Sequence, residues 1–348
     1  MENREHYKSI DFFKGICCIA CVFIHYNFPD ILGIGVRTIS RIAVPFFFFV
    51  SGFFLLNNNY NIQNDRLLNK IKHIKNIVWN TICFYSIFCV LWHMLMYKNW
   101  DFWMFVQEKV TGATILKFLI TNDPFVYAHL WFMFALLYCY FLMYPFRFKI
   151  FKNVKIILVF AILCLVGFSI YAEFKNIINI KSSISIYDTK KTLWIFNLFI
   201  FRALPFFLMG IIIKMKEKEI LLLEIEKKYF IFIFLFGSVL SLIERYFFVE
   251  SQFYIGTYIV VIAMAIMSVR YEIYNNIINF IGKNLSIYIY ILHIAVGKTL
   301  DLIYTKFHLW NNLPLKYFRV FIILFFTLTI AYSIFYIKNT EIYSSERK

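Results

Sequence analysis

The side chains of this sequence most able to do chemistry are basic groups and histidines that fall inside long apolar stretches. A charge at the centre of a bilayer costs about 2.5–3.5 kcal/mol on insertion scales, so each such residue in a membrane span is a candidate for function. Basic groups bind anions, and histidine exchanges a proton near neutral pH. A set of this kind suits the binding of an anionic substrate and the transfer of a proton. The set is Lys14, His25, Arg41, His129, Arg202 and His293.

Lys14 and His25 stand eleven residues apart on the first apolar stretch. Eleven steps of about 100° return a helix to within about 20° of its start, so both side chains point the same way, roughly 16 Å apart along the axis. With a cytosolic N-terminus, Lys14 lies near the cytosolic face and His25 in the outer third of the membrane. The alternative is that His25 only makes a hydrogen bond between helices.

Helix direction places the remaining groups in two layers. Arg41 and Arg202 fall in the outer halves of their spans, and Ser51 lies deeper. Arg41 could instead snorkel to the interface, and Ser51 with Gly52 could simply allow close helix packing. We expect an outer cluster above a basic cytosolic floor. The outer cluster is His25, Arg41, His129, Arg202 and His293, and the floor is Lys14, Lys70, Lys72 and Lys75.

The elements that position these groups are membrane-spanning helices. Hydrophobic residues make up 61% of the 348 residues and charged residues 16%, against about 45–50% and about 25% in soluble domains. The apolar runs are continuous rather than alternating, which excludes a transmembrane β-barrel. We predict an all-α polytopic bundle of ten spans that forms a single domain over residues 1–348. The predicted spans are 10–28, 39–56, 77–97, 129–146, 154–172, 193–213, 229–243, 254–270, 277–297 and 318–338.

Basic residues in the connections predict that both termini are cytosolic. The connections assigned to the cytosol carry more Lys and Arg than the outer ones, and the segment 66–75 alone holds four. Topology and contact with anionic membrane lipids then explain the net charge of +16 without nucleic acid. The first span lacks a small-residue cleavage site before Pro29, so we expect it to be retained.

The seven cysteines all fall within predicted spans. Cys18 and Cys21 have the spacing of a metal or redox motif, but on a buried apolar helix this spacing is more typical of small-residue packing. We therefore predict no disulfide framework and no metal site.

Several segments resemble the membrane acyltransferase 3 family. The first runs from Ser9 through Lys14 to His25, and the second, VPFFFFVSGFF, covers 44–54. Members of this family are integral membrane enzymes that move an acyl group from cytosolic acetyl-CoA to surface sugars and polysaccharides. The resemblance runs along the whole chain, with its most specific segments at 9–56. Similar segments also lie at 129–132, 202–210 and 288–293.

The resemblance implies an O-acetyltransferase of a bacterial plasma membrane. Its donor substrate would be acetyl-CoA, with no tightly bound cofactor, and its acceptor a hydroxyl of a cell-envelope glycan or of its lipid-linked precursor. His25 resembles the catalytic base, Lys14 stands where many members carry Arg, and the Lys70–Lys72 pair resembles one that meets the CoA phosphates. The full assignment is catalytic for His25, Lys14, Arg41 and Arg202, donor-binding for Lys14, Lys70, Lys72 and Ser51, and substrate-binding for His129, Trp131 and His293.

The alternative function is a transporter or exporter of a sugar or an acylated intermediate. Spans 39–56 and 193–213 share an Arg–Pro–Phe–Phe…Gly pattern and run in the same direction, as parallel repeats of transporters do. The helices that flank these two spans show no matching similarity. The deep charges are also mainly basic, whereas proton relays use carboxylates. We therefore favour the enzyme.

Overall fold

The described part of the chain is helical apart from one short antiparallel hairpin. Strand β1 (Ser183–Ile186) pairs with β2 (Thr189–Thr192), with Ser183 opposite Thr192. The computed structural model describes residues 7–56, 64–96, 101–112, 114–115, 118, 127–146, 154–174, 183–186, 189–192, 199–247 and 251–345.

The helices follow the apolar runs of the sequence. In the first half of the chain they are α1 (Lys8–His25), α2 (Asp30–Ser40), α3 (Ala43–Phe53), α4 (Asn64–Met96), α5 (Phe102–Lys109), α6 (Trp131–Phe146) and α7 (Val154–Phe174). In the second half they are α8 (Phe199–Arg202), α9 (Leu204–Met215), α10 (Glu217–Leu221), α11 (Lys227–Phe247), α12 (Ile255–Arg270), α13 (Asn276–Phe280), α14 (Ser286–Lys306) and α15 (Leu313–Ser345). A π-helical segment (Ile281–Leu285) joins α13 to α14, and single 3-10 turns cover Ala128–Leu130 and Leu309–Asn311.

Among the described residues, six helical stretches are long and apolar enough to cross a membrane, so the chain is a multi-pass membrane protein. They are Asp30–Phe53, Arg66–Met96, Ala128–Pro145, Lys227–Phe247, Asn276–Lys306 and Leu313–Thr340. Three shorter apolar helices cover Ile156–Gly167, Leu204–Met215 and Ile255–Arg270. The predicted number of ten spans and the cytosolic position of both termini stay predictions.

Several predicted spans have different boundaries in the structure, among them the second and the third. The second begins at Asp30 rather than at residue 39, and it breaks between α2 and α3, so Arg41 lies at a junction of two helices. The third begins at Asn64 rather than at residue 77, because the basic segment that precedes it continues the helix. Nothing forces a helix to end where the hydrocarbon ends, and Lys, Leu and Arg are good helix formers. Residues 97 and 193–198 of the predicted spans lie outside the described residues.

The chain divides into two compact units. The first unit comprises Met1–Phe47, Leu221–Tyr246 and Tyr254–Lys348, and the second comprises Phe48–Ile220 and Phe247–Phe253. Within the first unit, α1 packs against α2, α12, α13, α14, α15 and the π-helical segment. Within the second unit, α4 packs on α6, and α9 packs on α7.

Helix α1 lies at the centre of the first unit because two glycines let backbones meet. A Cβ added at Gly15 would overlap the carbonyl oxygen of Ile278, and one at Gly282 would overlap that of Asp11. Close backbone approach at small residues is the usual way in which membrane helices pack. The burial of α1 on most sides explains why it can carry Asp11 and Lys14 within the protein.

Candidate functional site

His25 and His293 lie side by side in the first unit. His25 is the last residue of α1, and His293 lies one-third of the way along α14. The centroids of the two imidazole rings are 5.2 Å apart, with an angle of 47° between the ring planes. His293 is 1% exposed, and its Nδ1 lies 2.9 Å from the carbonyl oxygen of Ile289. The structure thus brings together two histidines that are far apart in the sequence.

The imidazole of His25 is accessible although protein atoms surround it on most sides. Lys14, Cys18, Cys21 and His25 follow one another at helical spacing and so share one face of α1. Cys18 and Cys21 on this face are only 2% and 6% exposed. Because the face is an inward one, we interpret the accessible surface of His25 as facing an open space inside the protein rather than lipid.

Positive charge accompanies His25 in the first unit. Arg37 near the end of α2 and Arg41 at the α2–α3 junction both act electrostatically on the imidazole. At the other end of the same helix face, the Lys14 ammonium forms an ion pair with Asp11, with Nζ 3.0 Å from Oδ1. These side chains are 18% and 20% exposed, so the lysine is partly enclosed and its charge is partly neutralised.

Arg202, Trp131 and His129 lie in the second unit. Arg202 is 8% exposed, and its guanidinium stacks on the Trp131 ring, with 4.0 Å from Cζ to the ring centroid. This distance is typical of a cation–π contact. His129 is 4% exposed in the 3-10 turn before α6, and its ring packs edge-on against Tyr85 at 4.8 Å. The residues of the predicted outer cluster are therefore divided between the two units. In the first unit His25 lies beside His293, and in the second unit Arg202 stacks on Trp131.

The segment around Ser51 packs directly on the segment around Gly210. A Cβ at Gly52 would overlap the carbonyl oxygen of Phe207, and one at Gly210 would overlap that of Phe49. Helices α3 and α9 therefore touch through reciprocal glycines. Ser51 hydrogen-bonds the Tyr140 phenol of α6. The packing role that the sequence left open for Gly52 is observed.

The predicted basic floor lies on a helix rather than in a connection. Lys70 in α4 donates a hydrogen bond to the carbonyl oxygen of Phe54, just after α3, and its Nζ lies 5.9 Å from the Tyr140 ring centroid. Lys72 and Lys75 are exposed. Two steps along a helix turn through about 200°, so Lys70 and Lys72 point in different directions.

Lys214 directly follows the predicted span 193–213, yet the structure buries it. It ends up 5% exposed on α9, with Nζ 2.8 Å from Glu217 Oε2 and 5.2 Å from the Phe53 ring centroid. The spacing between Gly210 and Lys214 predicts this burial. A residue four positions after a helix-contact glycine lies on the same face of the helix, one turn further along.

Comparison with known proteins places the whole chain in one family model. The model for the acyltransferase 3 family, described as an acyltransferase domain, matches residues 7–336. The match extends from the start of α1 into the last third of α15. No curated protein and no solved structure matches the chain significantly.

Proposed function

This chain belongs to the acyltransferase 3 family, and from that premise we propose that it is an O-acetyltransferase of cell-envelope glycans. Its donor would be cytosolic acetyl-CoA, and its acceptor a hydroxyl of a surface sugar or of a polysaccharide precursor. The family match supports a membrane acyltransferase in general. The acetyl group, the glycan acceptor and the residue roles below are our inference from the site.

The accessible imidazole of His25 at the end of the buried helix α1 is the observation that carries the proposal. A general base must reach the proton that it removes, and it must be shielded from competing bulk water. A histidine on an inward face, with an accessible ring, meets both requirements. A histidine that served only to hold two helices together would have no need for an accessible surface.

The reaction requires one proton to move and one bond to be exchanged. A ring nitrogen of His25 takes the proton of the acceptor hydroxyl while the oxygen attacks the thioester carbonyl carbon of acetyl-CoA. A tetrahedral intermediate forms and then loses the thiolate of CoA, which takes the proton from the imidazolium. The charges of Arg37 and Arg41 act at His25 and so would stabilise the oxyanion of the intermediate.

We assign the donor to ammonium and hydroxyl groups and the acceptor to an aromatic surface. We assign the anionic donor to Lys14, Lys70, Lys72 and Ser51, because phosphate groups bind ammonium and hydroxyl groups. We assign the acceptor sugar to the second unit, where Trp131 presents an indole ring of the kind on which sugars stack. Arg202 covers this ring, so we expect it to act by positioning Trp131. His129 would contribute a polar group beside that aromatic surface.

The transporter alternative depends on the pattern shared by spans 39–56 and 193–213. The glycines of that pattern have a packing role, because Gly52 and Gly210 let the two helices meet. A pattern that the helix contact itself requires does not call for a transport function.

The test is mass spectrometry of envelope glycans from cells that lack the gene and carry it back on a plasmid. We expect an acetyl-sized mass increment to disappear on deletion, to return with the wild-type gene, and to stay absent with His25→Ala. His73→Ala is the matched control, because His73 is an exposed histidine on α4. Loss of the whole glycan from the cell surface, with acetylation of the remainder intact, would instead support a transporter.

A further inference from the structure

A tryptophan in the connection between α14 and α15 is held in place with part of its ring exposed. Trp310 lies in the 3-10 turn Leu309–Asn311 and is 38% exposed. Its indole Nε1 donates a hydrogen bond to Thr305 Oγ1 at 3.2 Å, and the centroids of the Trp310 and Tyr304 rings are 5.4 Å apart in an edge-on arrangement. The Tyr304 hydroxyl donates to the carbonyl oxygen of Leu315 at 2.9 Å. The orientation of the indole is therefore fixed by its neighbours.

One guanidinium contacts both this indole and the residue that follows His25. The Cζ atom of Arg319 is 5.0 Å from the centroid of the Trp310 ring and 5.2 Å from that of the Tyr26 ring. Both distances are within the range of cation–π contacts. Tyr26 directly follows His25 in the sequence. The exposed indole is thus connected through Arg319 to the helix end that carries the proposed base, and all of these residues belong to the first unit.

Asp301 on α14 fixes the same guanidinium and leaves polar atoms accessible beside the indole. Arg319 donates to one carboxylate oxygen, Oδ1, from its Nε at 2.8 Å and from its Nη2. In the part of the chain that the structure describes, Asp301 Oδ2 and Arg319 Nη1 make no hydrogen bond, and neither atom is buried. Asp301, Arg319 and Trp310, which we call the Trp310 surface, therefore offer one hydrogen-bond acceptor and one donor next to an aromatic ring.

The Trp310 surface suits a neutral ligand with several hydroxyl groups better than an ion or an acyl chain. An anion on Arg319 would meet the Asp301 carboxylate, and a cation on Asp301 would meet the Arg319 guanidinium. An acyl chain would take both charges out of water without giving a new hydrogen bond. A sugar hydroxyl can accept a hydrogen bond from Nη1 of Arg319 and donate one to Oδ2 of Asp301. The C–H face of the sugar ring can then lie on the Trp310 indole.

The backbone near the Trp310 surface adopts conformations that are uncommon outside glycine. Among the described residues, Asp30 and His308 are the non-glycine residues with a positive φ, at 58° and 56°. His308 lies two residues before Trp310, and the Asp30 carboxylate accepts a hydrogen bond from the Tyr317 hydroxyl of α15 at 3.0 Å. Such conformations persist where the surrounding structure holds them, and they cluster at ligand sites. A surface that is held in shape before binding loses less entropy when its ligand binds.

We propose that the Trp310 surface binds a sugar unit of the acceptor glycan, next to the unit whose hydroxyl is acylated at His25. This inference rests on the proposed function, since it adds a subsite to the same reaction. Arg319 and Tyr26 separate the indole from His25, so the sugar on the indole is a neighbour of the reacting sugar. The surface therefore favours a glycan chain over a single sugar. The pattern of basic residues predicts that this connection lies on the outer face, where a surface glycan is found.

The test uses full-length protein in lipid vesicles, with envelope polysaccharide from cells that lack the gene as acceptor. Release of CoA from acetyl-CoA is followed for Trp310→Phe, which keeps an aromatic ring, and Trp310→Leu, which keeps only apolar volume. We expect Trp310→Leu to raise the KM for polysaccharide about tenfold with the KM for acetyl-CoA unchanged, and Trp310→Phe to stay within about threefold of wild type. The control Trp103→Leu removes a 71% exposed indole of the second unit and should match wild type. Equal KM values for polysaccharide in Trp310→Leu and Trp310→Phe would overturn the proposal.

The length of the acceptor gives a second reading that needs no variant. Complete acid hydrolysis converts the polysaccharide into monosaccharides, each of which can occupy only one subsite at a time. A glycan chain gains affinity because its second sugar binds at a high effective concentration. We expect the wild-type KM, expressed per sugar unit, to be at least about tenfold higher for the hydrolysate than for the polysaccharide. Equal values would overturn the proposal even if Trp310→Leu does not fold.

A sedimentation assay without acetyl-CoA separates this site from the proposed activity. Vesicles that carry the wild-type protein should sediment the polysaccharide, and vesicles that carry Trp310→Leu should sediment less of it. If this difference is found but no protein releases CoA, the proposed function fails and the sugar site stands. If CoA is released and the Trp310→Leu vesicles sediment as much polysaccharide as wild type, only the sugar site fails.

Discussion

The contact between Gly297 and Tyr26 makes a quantitative prediction for Gly297→Ala. The added methyl group would overlap the Tyr26 ring, so the ring must move. Overpacking a buried site costs about 1–3 kcal/mol. The Tyr26 hydroxyl donates a hydrogen bond to the carbonyl oxygen of Ile294 at 3.0 Å. Its loss adds about 0.5–1.5 kcal/mol, and the better helix propensity of Ala returns about 1 kcal/mol. We therefore expect a net loss of about 0.5–3.5 kcal/mol in the free energy of unfolding.

Activity should fall more than stability in the same variant. Tyr26 follows His25 directly, so a displaced Tyr26 ring moves the end of α1 and the imidazole with it. A misplacement of about 1 Å in a catalytic group can cost about 100-fold in rate. The two quantities are measured on one preparation of full-length protein, as the midpoint of thermal unfolding in detergent micelles and as the rate of CoA release in vesicles.

A double variant shows whether the predicted clash is the cause. In Tyr26→Ala the ring is gone, so adding Gly297→Ala should cost nothing and should return up to about 1 kcal/mol through helix propensity. The two substitutions are thus expected to be strongly non-additive, as residues in contact usually are. If Gly297→Ala alone stabilises the protein and leaves the rate unchanged, or if the two effects simply add, then Tyr26 does not hold α1 against α14 as described.

Three further substitutions test other parts of the structure. Glu217→Gln should destabilise the protein by about 3–5 kcal/mol, because it leaves the buried Lys214 without its ion pair. The control Glu219→Gln breaks the neighbouring exposed pair with Lys216 and should cost under about 1 kcal/mol in the same thermal assay. Equal effects of the two substitutions would contradict the burial of Lys214. Gly52→Ala should lower the unfolding midpoint because its Cβ would meet the Phe207 backbone, whereas Gly112→Ala, with nothing within 4 Å, should not; equal midpoints would refute the α3–α9 contact. Lys14→Gln should raise the KM for acetyl-CoA about tenfold with little change in kcat, and a selective loss of kcat would move Lys14 from donor binding to the chemistry.

Local pattern was enough to predict several helices. Apolar length predicted α6, α11 and α12 to within a few residues. Helix direction placed His25 and His293 in one predicted cluster of five residues, but it did not predict that these two rings in particular would lie side by side. Intramembrane imidazoles are costly enough that they tend to meet one another or a cavity.

Features that depend on tertiary contact could not be read from local pattern. Helix α4 continues through a basic segment that resembles a connection. The break at Arg41, by contrast, has a local signal, because Pro45 has no N–H to donate to the Arg41 carbonyl oxygen four residues earlier. The burial of Lys214 depends on which face of α9 packs on α3. The ion pair of Arg319 with Asp301 joins the start of the predicted span 318–338 to the connection that precedes it. Hydropathy gives the length of an apolar run but not the direction in which its polar neighbours point.

If His25 carries out the acyl transfer, its replacement should stop CoA release by the purified protein. Purified full-length protein in lipid vesicles receives acetyl-CoA and envelope polysaccharide, and CoA release is followed for wild type, His25→Ala and the exposed-histidine control His73→Ala. We expect His25→Ala to lose at least about 100-fold in rate while His73→Ala matches wild type and all three proteins have the same unfolding midpoint. A folded His25→Ala protein that releases CoA at the wild-type rate would show that His25 does not carry out the acyl transfer.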